Sequence, residues 1–125
     1  MAGTTSGVSI SKNGSDIDII LYQGKTINFE VIWGGATPIN VTGFSARMQA
    51  RQAASATAIL AEFSNANSRI SVGGVNGKFT VSMSAADSAL LKPAVGIYDF
   101  EIVDASGNVS LVMSGKFQIE AEVTR

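Results

Sequence analysis

The sequence predicts an all-β fold, built as an antiparallel sandwich, and three observations predict it. Apolar residues recur with period two through most of the chain. Clusters of Gly, Asn and Asp separate these runs at intervals of roughly 8–12 residues. Helical periodicity is confined to one short stretch near residues 84–92. With 125 residues the chain fits one domain. Area scaling gives roughly 6,300 Å² exposed folded against roughly 18,700 Å² unfolded, enough burial for a core without staples.

The elements follow in order. Residues 1–15 are small and polar and read as an N-terminal arm; residues 16–125 read as the sandwich domain. From Asp16, Ile17, Ile19 and Leu21 share one face of a strand and Tyr22 lies out of phase with them. After Gln23-Gly24-Lys25, residues 26–33 place Ile27, Phe29, Val31 and Trp33 on one face, which assigns Trp33 to the core. Gly34 to Pro38 forms a loop. Phe44, Ala46, Met48 and Ala50 then alternate with Ser45, Arg47, Gln49 and Arg51. Helix formers occur in that segment, but alternation and the lack of caps favour a strand. Its expected partner is the short apolar run Ala58 to Phe63.

Ile70 and Val72 make a short strand, and Asn76-Gly77 has the composition of a type I′ turn. Phe79, Val81 and Met83 alternate beyond it. Ser84 is an N-cap with Asp87 three residues on, a variant capping box, and Pro93 ends the single short helix. Tyr98, Phe100 and Ile102 face opposite to Asp99 and Glu101, and Asp104 to Asn108 turns the chain. In the return strand Val109, Leu111, Met113, Gly115 and Phe117 are expected inward, and Ser110, Val112, Ser114 and Lys116 outward. Gly115 marks a bulge or bend. Seven to nine short strands with such turns make the pattern of an immunoglobulin-like sandwich, although the Cys-Trp-Cys arrangement of true immunoglobulin domains is missing.

Composition narrows function by exclusion. Cysteine and histidine are both absent. That removes thiolate nucleophiles, imidazole bases and the usual soft metal ligands, so a non-enzymatic protein without cofactors is expected. Net charge is −1 with no basic run, giving no footprint for nucleic acid or an anionic membrane. The N-terminus has neither a basic nor an apolar region of a secretory signal, and no apolar run approaches the length of a membrane span. Synthesis in a cytoplasm follows, with the chain soluble until it is built into something.

Charged residues make up only 15% of the chain, against about 25% in an ordinary soluble domain. A surface of Ser, Thr, Asn, Gly and Ala loses little hydration when a neighbour covers it. Partner contact is therefore expected at Thr4, Thr5, Val8 and Ile10 of the arm, and at the outer stripe Ser110, Val112 and Ser114.

Other candidates have plainer readings. Asp16 with Asp18, and Asp99 with Glu101, are solvated strand faces, because Ca²⁺ needs six to eight oxygens and a glycosidase pair needs a cleft. Arg47 and Arg51 fit cross-strand pairs with Asp99, Glu101 or Glu30. Gly73 to Gly77 lacks the Gly-Lys-Ser/Thr ending of a phosphate loop.

Several strings carry a resemblance. They are Asp18 to Gly24, Phe29 to Trp33, Val41 to Gln49, Gly77 to Ser84, Gly96 to Glu101 and Glu122 to Arg125. Together they resemble the small β-sandwich proteins of tailed-bacteriophage structural modules, similar to the N-terminal domain of baseplate upper proteins, from about Asp16 onward. The resemblance implies a virion protein, tail- or baseplate-associated, that docks on other virion proteins and on copies of itself, with no small-molecule substrate. In baseplate proteins this domain is followed by fibre or receptor-binding modules, whereas this sequence ends at Arg125. A capsid decoration or cement protein, or a carbohydrate-binding module using Trp33 and Tyr22, are the alternatives.

Overall fold

The computed structural model describes residues 6–34 and 37–124. Among these, nine strands and one helix follow in order: β1 (Val8–Asn13), β2 (Asp16–Tyr22), β3 (Ile27–Ile32), β4 (Ser45–Arg51), β5 (Ala61–Ser64), β6 (Ile70–Val72), β7 (Lys78–Met83), α1 (Ala85–Ala89), β8 (Ala94–Val103) and β9 (Val109–Glu120). One sheet has the order β1-β2-β9-β8-β4-β5 and the other β3-β7-β6. The neighbours β9-β8-β4 and β3-β7-β6 reproduce the G-F-C and B-E-D groups of an immunoglobulin-like sandwich, with β5 beside β4 as in variable-type domains.

The period-two pattern fixes the layers. Ile19, Leu21, Met48, Phe100 and Phe117 from the larger sheet meet Ile27, Phe29, Phe79 and Val81 from the smaller, all essentially inaccessible. Phe79 and Phe100 pack edge to face across the sheets, ring centres 5.8 Å apart. Helix α1 closes one end. Its Ser84 cap accepts a hydrogen bond from the Asp87 amide at 3.1 Å. The Asp87 carboxylate is held by Arg69 at 3.3 Å. Buried Ser88 donates to the Lys25 carbonyl at 2.6 Å.

The structure corrects several expectations. The sandwich begins at Val8, since residues 8–13 pair antiparallel with β2. Val8-Ser9-Ile10 alternates well enough to pair, and Gly14, at φ +65°, supplies the first position of a two-residue hairpin turn. The β2–β9 pair is parallel, from Ile19 opposite Phe117 to Tyr22 opposite Glu120, while the other strand pairs are antiparallel. Asn76-Gly77 does not form a type I′ turn. Gly74 and Gly77 are left-handed but Asn76 is not, and the Gly77 amide donates to the Gly74 carbonyl at 3.1 Å. The strands close at Gly73, whose amide donates to the Lys78 carbonyl at 2.7 Å, so the connection is a four-residue loop in unbroken register. Trp33 lies just past β3 and is half-buried against the core rather than inside it.

The largest correction concerns β9. The register runs Phe100–Met113 and then Glu101–Leu111, leaving Val112 as an extra residue. The bulge thus sits at Val112 rather than Gly115, and it reverses the phase of everything before it. Gly115 has a different task. A Cβ there would stand 2.4 Å from the Ile17 carbonyl oxygen. The same oxygen accepts a short hydrogen bond from the Tyr98 hydroxyl, and Tyr98 is the residue paired with Gly115. Burial, with Asp18 and then Asp16 adding to it, pushes that hydroxyl far above the phenol range.

Candidate interaction surface

The outer face of the six-stranded sheet is read row by row from its register. Ser45, Val103 and Val109 form one row; Arg47, Glu101 and Leu111 the next. Gln49, Asp99 and Ser114 follow, then Arg51, Ile97 and Lys116. Val95 and Gln118 continue it toward Ile20 of β2. Four aliphatic side chains on this face are open to solvent: Val95 at 67%, Leu111 at 57%, Val109 at 52% and Ile97 at 42% exposure.

The charges of the face are largely committed within the chain. Arg47 Nε meets Glu101 Oε1 at 2.9 Å, the cross-strand pair expected from spacing. Arg51 turns away to the Ala56 and Thr57 carbonyls at 2.9 and 2.8 Å and to Gln49 Oε1 at 2.8 Å, which ties down the loop after β4. Gln49 in turn donates to Glu62 at 2.6 Å. Asp99 lies in an outer-face depression of about 490 Å³ with Gln49, Arg51, Ile97, Leu111 and Ser114. Partial desolvation, then the neighbouring Glu101, raise its carboxyl above the usual value; Arg47 opposes them.

The predicted partner-binding residues divide between two places. Thr4 and Thr5 lie outside the described residues. Val8 is half-buried against the core. Ser110 pairs with buried Ile102, so it faces inward, and Val112 packs on the core; the bulge moves both off the outer stripe. Ser114 alone of that stripe is on the outer face, beside Asp99. Ile10 and Val112 meet in a second place, an apolar cleft of about 270 Å³ where the two sheets part. Ile17, Phe29, Val31, Ile32 and Met113 complete its walls with Glu30 at the rim.

The aliphatics that sequence reasoning missed are Val95, Ile97, Val109 and Leu111. A signal existed for two of them, because Val95 and Ile97 are in phase with Asp99 and Glu101. The other two were hidden by the bulge. Of the remaining candidates, Asp18 accepts from the Lys116 amide at 3.0 Å and from Asn13 at 3.4 Å, sealing the gap where β2 diverges from β9. Among the described residues no group of three or more acidic side chains is placed to hold a metal. Every buried side-chain nitrogen or oxygen there has a hydrogen-bond partner, and no helix is long and apolar enough to cross a membrane. The surface is suited to non-covalent contact through a broad sheet face. No protein-family model matches the chain, and no curated protein matches it.

Proposed function

We propose that this chain is a structural protein of a tailed-bacteriophage virion, associated with the tail or baseplate, that works by multivalent docking. The observation that carries the reading is the outer sheet face, where four exposed aliphatics stand among side chains of which Arg47, Glu101 and Arg51 are engaged within the chain. Covering such a face removes apolar area from water while stripping few free charges of hydration. The resemblance of the strings from Asp18 to Glu101 supplies the virion context.

Magnitudes explain why copies must act together. Full burial of an aliphatic side chain stabilises by about 1.5–3 kcal/mol, so four that are about half exposed contribute about 3–6 kcal/mol gross. Association costs about 4–15 kcal/mol in lost freedom. One copy on one neighbour is thus near break-even, whereas a ring of linked copies gains by high effective concentration. The partners on this reading are other virion proteins and copies of the same chain, and the destination after synthesis in the host cytoplasm is the virion. A carbohydrate-binding role is less well served, since Trp33 packs against the core and leaves Tyr22 as the candidate platform.

The test is mass spectrometry of particles purified from lysates of cells carrying the gene. The chain should be found in stoichiometric, ring-like copy number relative to the tail proteins. Its absence from intact particles overturns the proposal. Copy number tracking the major capsid protein instead would transfer the chain to the decoration class.

A further inference from the structure

The sequence holds two Asn-Gly pairs, Asn13-Gly14 and Asn76-Gly77, and the fold treats them in opposite ways. Gly77 is buried, and both of its backbone groups are held. Its amide donates to the Gly74 carbonyl at 3.1 Å, and its carbonyl accepts from the Trp33 amide at 2.8 Å. A Cβ on Gly77 would stand 2.5 Å from the Trp33 carbonyl oxygen, so the backbone has little room to turn. The Asn76 side chain is latched as well, its Oδ1 accepting from the Lys78 amide at 3.1 Å. Gly14 is the reverse case. It sits exposed in the turn between β1 and β2, at φ +65°, with nothing within 4 Å of a built Cβ. Among the described residues its amide has no hydrogen-bond partner. Asn13 is exposed too, and its side chain is held by a long 3.4 Å contact from Nδ2 to Asp18 Oδ2. It ends β1, the outermost strand of the six-stranded sheet, where local opening costs least.

We propose that Asn13 is a site of non-enzymatic deamidation whose product loosens β1, while the fold keeps Asn76 inert. The Gly14 nitrogen attacks Cγ of Asn13; a bond from that nitrogen to Cγ forms and the Cγ–Nδ2 bond breaks. Nδ2 leaves as ammonia, taking up the proton that the Gly14 amide sheds. Water then opens the cyclic imide. Cleavage at Cγ gives aspartate, and cleavage at the Asn13 main-chain carbonyl gives isoaspartate, with one extra methylene in the backbone. The attack needs a nitrogen free of hydrogen bonds, no neighbouring Cβ to shield it, and a backbone able to rotate. Gly14 offers all three, whereas at Gly77 the first and last are withheld. Either product replaces a donor to Asp18 by a carboxylate. Asp18 is itself fixed by the Lys116 amide at 3.0 Å, and Asp16 is the cross-strand partner of Asn13, so like charges are brought together at the hairpin end. Isoaspartate also lengthens the chain within the Asn13–Asp16 pair that closes the hairpin. This inference concerns the folded chain alone and stands apart from the virion reading.

Trypsin places the two sites in separate peptides, Asn13 to Lys25 and Ile70 to Lys78, each with a single asparagine. The purified chain is held at mildly alkaline pH, sampled over days, digested and mapped by mass spectrometry, with a zero-time digest as the blank. The Asn13 peptide should gain the mass of the acid, with isoaspartate among the products, about 10-fold or more faster than the Asn76 peptide. With the chain unfolded in urea the two rates should draw level. Equal rates in the folded chain, or a preference that persists unchanged in urea, overturns the proposal. Hydrogen exchange reads the consequence. The Ser11 amide faces β2 by alternation from Gly7, whose carbonyl accepts from the Tyr22 amide. It should exchange faster in the aged chain than in the fresh one, while the Val81 amide, opposite Phe29 in the core, should not change. Asn13→Gln, whose longer side chain closes its ring far more slowly, should abolish both effects. An aged chain in which Ser11 stays as protected as before contradicts the loosening of β1.

Discussion

Replacing Gly115 by alanine perturbs the point where β2, β8 and β9 come closest. The added Cβ would lie 2.4 Å from the Ile17 carbonyl oxygen and 2.8 Å from Asp18 Oδ1, and real Cβ contacts do not fall below 3.0 Å. Something must therefore retreat by at least about 0.6 Å, and the nearer atom belongs to backbone, which cannot simply rotate away. That retreat strains the hydrogen bond from the Tyr98 hydroxyl to Ile17. A lost hydrogen bond is worth about 0.5–1.5 kcal/mol, and overpacking of this kind costs about 1–3 kcal/mol. Relief of glycine's unfolded-state entropy returns about 0.5–1 kcal/mol. The net expectation is a destabilisation of about 1.5–3 kcal/mol, a large share of the about 5–15 kcal/mol of a typical domain.

Urea unfolding followed by the fluorescence of Trp33, the single tryptophan, measures it. With a slope of about 1–3 kcal/mol/M the midpoint should fall by about 1 M. Gly107→Ala is the control, since that glycine has φ +89° and nothing within 4 Å of a built Cβ. It should cost only the left-handed penalty of about 1 kcal/mol. Tyr98→Phe isolates the hydroxyl. Combined with Gly115→Ala it should be less than additive, because one hydrogen bond is then lost once rather than twice. If Gly115→Ala is no more harmful than Gly107→Ala, the close-approach reasoning is wrong.

Three further outcomes are expected. Leu111→Ser should leave stability within about 0.5 kcal/mol of the parent, while Val112→Asp should cost about 2 kcal/mol or more by putting a charge against the core; thermal melts that rank them oppositely would restore the unbulged register. Gln23→Ala should lower stability by about 1–3 kcal/mol, since its amide donates to the Leu91 carbonyl at 2.7 Å and accepts from the Glu122 amide at 2.9 Å, joining the segment just after α1 to the segment after β9; an unchanged urea midpoint would show that this clasp is idle. Asp99→Asn should raise the melting temperature at pH 7, because desolvation and Glu101 hold the Asp99 carboxyl above its ordinary value and its ionised form is the disfavoured one in the folded state. As pH falls through the folded value and then below 3.8, where the acid becomes protonated in both states, the two melting curves should converge; a gap that widens on acidification has the wrong sign.

Local chemistry made much of the fold legible. Alternation placed Ile27, Phe29, Val31, Ala46, Met48 and Phe100 inward, where the structure has them buried. Ser84 capped the helix as its position implied. Asp104 closed the β8–β9 turn by accepting from the Asn108 and Ser106 amides, each at 2.9 Å, and those bonds, that of Asn108 foremost, hold its carboxyl below the usual value.

What escaped was either non-local or ambiguous in phase. The parallel pairing of β2 with β9 depends on where the chain arrives after nearly a hundred residues, and no spacing within β2 encodes it. The bulge lies in Leu111-Val112-Met113, three apolar residues in a row, where period two can be counted from either side. That run was the available warning, and it displaced Ser110 and Val112 from the predicted surface while hiding Val109 and Leu111. In β1, Val8-Ser9-Ile10 followed by Gly14-Ser15 already had the form of a strand and hairpin turn. Its polar, glycine-rich surroundings masked it.

The proposed role is packing of this sandwich, through the outer face of its six-stranded sheet, beside other subunits of a virion. A reconstruction of the whole particle at side-chain detail tests it most directly. The account predicts density for the chain in symmetric copies on the tail or baseplate, with Val95, Ile97, Val109 and Leu111 covered by a neighbour. A particle complete without this chain, or one holding it with those four side chains facing solvent, would contradict it.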